Sequence, residues 1–349
     1  VLDHKKIAQE IIRRASEKIN HISGARHFFV STTRRFLESL VAGGDFGNKY
    51  RVLSTFSYCE IANSGYQVFG IDASQVYPDP QFFAGAVAVI NVGGIQLLYG
   101  PEVGSAEFLI SSEFISTEDL IFEGEKLVFC PEMIDLMRFL REIEYGIESF
   151  LQHNLTEFSC ILFDGSMLPQ SLILKSSVVQ RFVMQRYARA LQQIQQHKIP
   201  VCWYTSSPRS SVVVAAFGVA GANDTDLLSG VLQSGEISPV FVDKNTIFFG
   251  ALLDERDAPA ICFIGAEDDV VKLEFPRWMY DDQTIFFRMF SVVFDQVFKG
   301  FGYPVALTEA HCQVVVTEAE RQFLFSFAGA QVGQAPLKTK NVRKQIIPV

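Results

Sequence analysis

Two short segments of this 349-residue chain put carboxylates where they can do chemistry. IDAS at 71–74 and FDGS at 163–166 each read as an apolar strand whose last residue is Asp, followed by a small residue and Ser. A carboxylate there is held on rigid backbone yet reaches the sheet edge, and its small neighbour leaves room for a metal ion or a phosphate. Hydrolysis of a phosphodiester by two divalent cations needs oxygen ligands from several carboxylates, so that the attacking and leaving oxygens are both clamped. Either segment alone is an ordinary Asp opening a turn. The pair carries information if the fold sets the two strands side by side.

The elements that must position them follow from periodicity. Residues 1 to about 45 read as a helical extension, with Ile7, Ile11, Ile12, Ala15 and Ile19 on one face. GYQVFGIDAS (65–74) reads as a strand ended by a polar turn and by YPDP (77–80), and AGAVAVINV with IQLLYG around Gly93-Gly94 reads as a hairpin. PEMIDLMRFLREIEYGIESFLQ (131–152) has a proline at its start and the helical apolar period, SCILFDGS (159–166) is a buried strand, and a second helix spans about 172–196 before the strand IPVCWYTSS (199–207). Three strands, helix, strand, helix, strand predicts an α/β fold with an RNase H-like core at about 65–207, a mixed sheet flanked by helices. Additional strands and helices fill 208–325, including an amphipathic stretch from Thr284 to Phe298 and a helix from about Leu307 to Phe323, and 326–349 is a tail.

In that order the first and fourth strands are neighbours, which brings Asp72 and Asp164 together. A third carboxylate can come from the first long helix. At about 100° per residue, Glu144 falls with Leu140, Ile147 and Leu151 on the stripe facing the sheet, Glu142 points to the opposite side, and Glu148 lies at the border. A charge on a buried stripe is costly unless paired or bound to a metal, which favours Glu144; a border Glu reaching back to water is the alternative. His311, in GYPVALTEAHCQVVV, can ligate a metal, protonate a leaving oxygen, or be a plain surface histidine.

Composition narrows the class. Hydrophobic residues at 48% and charged residues at 20% describe a globular protein with a sizeable core. Cys59, Cys130, Cys160, Cys202, Cys262 and Cys312 contain no CxxC pair, so reduced, mostly buried thiols are expected rather than a zinc site. A net charge of -9 argues against a protein that coats nucleic acid nonspecifically, but a nuclease with an acidic metal site is compatible with it. Arg13-Arg14, Arg34-Arg35 and the 338–344 tail read as solvated basic groups. With no apolar run of about 18 residues and a charged amphipathic N-terminus, no membrane association and a cytoplasmic location are the expectations.

FGIDAS, ILFDGSMLP, WYTSSPRSS, the LEFPRW segment and GYPVALTEAH, in this order over about residues 65–325, resemble the NurA nuclease family. The resemblance implies a homodimeric RNase H-like nuclease domain, here 46–325, that degrades DNA with two Mn²⁺ or Mg²⁺ ions. It also implies a HerA-type hexameric ATPase as partner, in DNA end resection and double-strand break repair. Asp72 and Asp164 match the family's metal-binding aspartates and His311 its C-terminal histidine; a helix glutamate is implied, for which Glu144 fits by phase. Tyr303 becomes a neighbour of the site, and Arg209, after the fifth strand, a basic residue to hold a phosphate where the family often has Lys. Ala73 departs from a more usual Gly. Two other readings compete: a phosphotransferase or ATPase of the actin and sugar-kinase type, which needs Gly-rich phosphate loops, and a catalytically silent subunit docked on a motor ATPase.

Overall fold

The computed structural model describes residues 34–331 apart from 36, 39, 41, 47–49, 56, 63, 78–86, 101–103, 170–171, 173–175, 217–222, 244–254 and 267–268. The expected helix before residue 34, most of YPDP and the basic tail lie outside the described residues. The chain forms two compact units. One draws on residues 61–204, 246–259 and 274–349, the other on residues 1–60, 205–245 and 260–273.

The larger unit contains strands β1 (Tyr66–Val76), β2 (Val87–Tyr99), β3 (Ser105–Ser116), β4 (Ser159–Asp164) and β5 (Val201–Thr205), the last ending at the unit boundary. They lie in the order β3-β2-β1-β4-β5. β1, β2 and β3 pair antiparallel, whereas β1 with β4 and β4 with β5 pair parallel. This is the expected RNase H-like order. Helix α1 (Pro131–Gln152) starts with Pro at its first turn, and α2 (Ser177–Gln196) is capped by the Ser176 hydroxyl, which accepts the Val179 amide. These two are the crossover helices that parallel pairing requires.

Behind them come α3 (Gln283–Lys299), α4 (Val305–Val314) and α5 (Glu318–Gln331). The single helix expected from Leu307 to Phe323 is therefore broken. The first part ends at Val314, with Val315 extended, and Thr317 starts the second: its hydroxyl accepts the Glu320 amide while Glu320 Oε2 takes the Thr317 amide at 2.8 Å, a reciprocal cap for α5. The T-x-x-E spacing was visible in the sequence.

Two more expectations are corrected. Gly93-Gly94 is no hairpin turn but the middle of β2, paired to Asp72 and Ile71 respectively. β1 likewise runs on past Asp72 to Val76, so this Asp stands inside a strand and only Asp164 ends one. The glycines serve close approach rather than turning. A Cβ on Gly93 would stand 2.5 Å from the Leu109 carbonyl oxygen and 3.2 Å from Val314 of α4, and one on Gly70 only 2.2 Å from the Ala306 carbonyl oxygen. With Ala306 and Ala310 on its buried side, α4 thus lies flat on β1 and β2.

Gly70→Ala should accordingly cost about 1–3 kcal/mol or more, since helix backbone has to move away from the sheet. Urea unfolding checks this; a variant as stable as the parent would refute the contact.

In the smaller unit, Leu37, Val52, Val213, Leu228, Phe241 and Phe263 share one core. Buried Asp224 organises its irregular part by accepting the Ser210 hydroxyl and the amides of Val212, Val213 and Val214. The cysteines are free, with Cys59, Cys160, Cys202 and Cys262 buried, Cys130 half-buried and Cys312 exposed. Among the described residues, no helix is long and apolar enough to cross a membrane.

Candidate metal centre

Strand register brings the two aspartates together. Ile71 pairs with Phe163 across β1 and β4, so Asp72 and Asp164, each one residue further, leave the same face of adjacent strands. That face is covered by α4, where the Val314 carbonyl accepts the Ser74 hydroxyl and, at 2.9 Å, the Asn91 amide. Asp72 Oδ1 accepts the Ala73 amide at 2.7 Å, and Oδ2 stands 2.9 Å from His311 Nδ1. The His311 side chain is 67% exposed. Its other ring nitrogen is therefore open to a ligand.

The start of α4 is fixed by a buried amide: Gln296 Oε1 accepts the Ala306 amide at 3.0 Å, and Nε2 donates to the Tyr66 hydroxyl at 2.9 Å. Just before it, Phe301 (φ 53) and Gly302 (φ 103) turn the chain through left-handed conformations. This turn delivers Tyr303, whose hydroxyl donates to the Asp164 carboxylate and whose ring meets Tyr204 edge-on at 5.3 Å. Tyr204 in turn donates to the Gly302 carbonyl at 3.1 Å. On the far side of Asp164, the loop is held by Glu274, which accepts the Met167 amide at 2.6 Å.

Glu144 does not lie on the sheet-facing stripe where phase placed it. Glu144 looks toward α2, where Arg186 grips both its oxygens at 3.0 and 2.7 Å and Arg141 adds a contact at 3.3 Å. Glu142 is the buried one, 5% exposed, with the charges of Asp72 and Asp164 both acting on it. The reason is that α1 packs on two neighbours, sheet and α2, so its buried arc is wider than one apolar stripe. Its line of closest approach to the sheet runs through Gly146, where a Cβ would stand 2.8 Å from the Phe163 ring. Glu142 precedes that glycine by one helical turn. A glycine inside an amphipathic helix was the signal for this face.

Electrostatics mark the cluster as short of positive charge. Burial, aided by Asp72 and Asp164, pushes Glu142 up to about 8, although Arg138 opposes this. Desolvation likewise raises Asp164 against the hydrogen bond from Tyr303, and burial beside Asp164 raises Tyr303. Three carboxylates and an imidazole are the hard-oxygen and nitrogen donors that suit Mg²⁺ or Mn²⁺. Among the described residues, no three such side chains already stand at ligand spacing; Asp72 is turned to His311, and Glu142 to Arg138. The donor types suit a divalent cation.

Arg209 is exposed in the smaller unit, outside the unit that holds these carboxylates. Arg138 is the cation beside them. It donates to Glu142 Oε2 at 2.9 Å and to the Ala73 carbonyl at 3.2 Å, and it lines a cavity of about 270 Å³ with Phe139, Glu142, Asp164, Ser166 and Trp203. Its position four residues before Glu142 was the available clue.

Known proteins fit this geometry. The model of the NurA domain matches residues 66–316. The NurA nuclease from Sulfolobus solfataricus is similar in structure at a TM-score of 0.56 and 13% identity, over 93% of this chain and 97% of that one. Structures of NurA with manganese (TM-score 0.47, 10% identity, 90% and 98% covered) and of NurA bound to dAMP and manganese (0.45, 11%, 98% and 100%) are more distant. No curated protein sequence matches. With its domain match spanning most of the chain and a sheet order to suit, the protein belongs to the NurA family.

Proposed function

We propose that the protein is a metal-dependent deoxyribonuclease that hydrolyses phosphodiester bonds at the cluster of Asp72, Glu142 and Asp164. The carrying observation is that Asp72 and Asp164 leave adjacent strands side by side, with His311 bonded to the first, while both their charges act on buried Glu142 of α1, which lines one cavity with Asp164. Asp72, Glu142 and Asp164 would hold two Mn²⁺ or Mg²⁺ ions, which supply Lewis-acid polarisation and charge neutralisation of the phosphodiester. Tyr303 keeps one Asp164 oxygen oriented. His311 Nδ1–H donates a hydrogen bond to Asp72, which leaves the Nε2 lone pair to ligate a cation in the neutral ring, or an Nε2 proton to pass to the leaving oxygen in the imidazolium.

Family membership supports DNA as substrate and makes a HerA-type hexameric ATPase the expected partner, a homodimer the expected state, and DNA end resection in the cytoplasm the expected role. The actin and sugar-kinase type of phosphotransferase is disfavoured because Gly93-Gly94 lie inside a strand rather than in a phosphate loop. The test is direct. Purified protein with Mn²⁺ should degrade linear DNA and stop on chelation; no cleavage with either Mn²⁺ or Mg²⁺ would overturn the reading.

A further inference from the structure

Arg138 spends little of its hydrogen-bonding capacity on the protein. Both of its bonds, to Glu142 and to Ala73, leave from the same nitrogen, Nη1. A guanidinium has five N–H donors in a planar fork, and among the described residues Nε and Nη2 have no acceptor. The side chain is 28% exposed and forms part of the wall of the cavity next to Glu142 and Asp164. Asp135, the other charged group on that wall apart from the two site carboxylates, is engaged by the Tyr77 hydroxyl and by Gln75 Nε2 at 3.0 Å.

Phe139, Leu168, Pro169 and Trp203 make the remainder of the wall largely apolar. A cavity of mixed polar and apolar lining, with one free cationic fork and adjoining carboxylates, suits a nucleotide unit, with its phosphate on the fork and its ring or sugar against Phe139, Leu168 and Pro169. We propose that Arg138 binds a phosphate of the DNA strand through Nε and Nη2, in this cavity, while Nη1 stays on Glu142. The inference rests on the nuclease reading above. It assigns to Arg138 the phosphate contact that Arg209 was expected to make.

Binding is measured without cleavage, by fluorescence anisotropy of a labelled single-stranded oligothymidylate in EDTA over a salt series, and Mn²⁺ binding alone by titration calorimetry. Arg138→Gln, which retains an amide for Ala73 and Glu142, should weaken oligothymidylate binding about 10-fold or more and lower its salt slope by about one charge. Arg138→Lys should keep the slope but recover only part of the affinity, since an ammonium lacks the fork. Mn²⁺ affinity should stay within about 3-fold in both variants.

Oligothymidylate binding unchanged in Arg138→Gln would overturn the proposal, as would loss of Mn²⁺ affinity equal to the loss for DNA, which makes Arg138 a support for Glu142. In either case a parent protein that still cleaves DNA leaves the nuclease reading standing. A parent that neither cleaves nor binds overturns both.

Discussion

Asp164→Asn and Asp72→Asn should each lower DNA cleavage on the order of 10³-fold or more, without loss of folded structure. The expected size follows from the way groups in one catalytic unit fail together, so that removing one member forfeits most of what the set supplies. Stability should not fall in parallel. Asp164 is held above its ordinary range by desolvation and by the negative charge of Asp72, so an amide in its place relieves repulsion while still accepting the Tyr303 hydroxyl. The measurements are single-turnover cleavage, Mn²⁺ titration of the purified variant, and thermal melts. Cleavage within tenfold of the parent by both variants would remove these aspartates from the reaction.

That pair was legible because strand chemistry is local. An apolar run ending in Asp predicts where a carboxylate leaves a sheet, and the β-α-β order then predicts which strands adjoin. What a run of residues does not state is what crosses over it. Gly93-Gly94 resembles a turn in one dimension, yet Gly93 stands opposite Asp72 within the sheet and lies close under Val314 of α4, a residue more than two hundred positions further along the chain. The burial of Glu142 was missed for a related reason. Counting apolar residues finds the face of α1 with the most carbon, and that face is shared between sheet and α2, whereas the line nearest the sheet is marked by a residue with no side chain at all, Gly146. Tyr303 just precedes α4 and His311 lies in its last turn; both reach the site only through tertiary packing, so motif resemblance brought them in where periodicity could not. Arg209 follows the point, Thr205, at which the chain leaves the larger unit.

Glu142→Gln should abolish most cleavage, by at least about 10²-fold, whereas Glu144→Gln should keep activity within about twofold and instead lose the Arg186 pair on the helix surface. The two substitutions are two residues apart and chemically identical, so the contrast isolates position. A metal-free pH series adds a second readout. The folded carboxyl of Glu142 sits at about 8 because burial disfavours its charge, whereas an unfolded Glu titrates near its ordinary value of about 4.3. Between those values the folded state holds the extra proton. This contribution to stability is fully present below the unfolded value and is lost as pH rises through the folded one.

In EDTA, therefore, the melting temperature of the parent should fall between about pH 5 and pH 9. Glu142→Gln should flatten that slope and melt a few degrees higher at pH 9. Equal slopes in both proteins, with cleavage lost in Glu144→Gln and kept in Glu142→Gln, would return the third carboxylate to Glu144.

β1 is hydrogen-bonded along both edges, to β2 over its whole length and to β4 beside Asp72. Amides in such a strand exchange with solvent only when the whole unit opens, whereas a ten-residue helix such as α4 can detach in a smaller fluctuation. Deuterium uptake should then divide the site in time. The stretch around Asp72 should stay protected as long as any native structure survives, and the stretch around His311 should exchange earlier. A partly opened molecule would keep its two aspartates in register after the histidine had already left them.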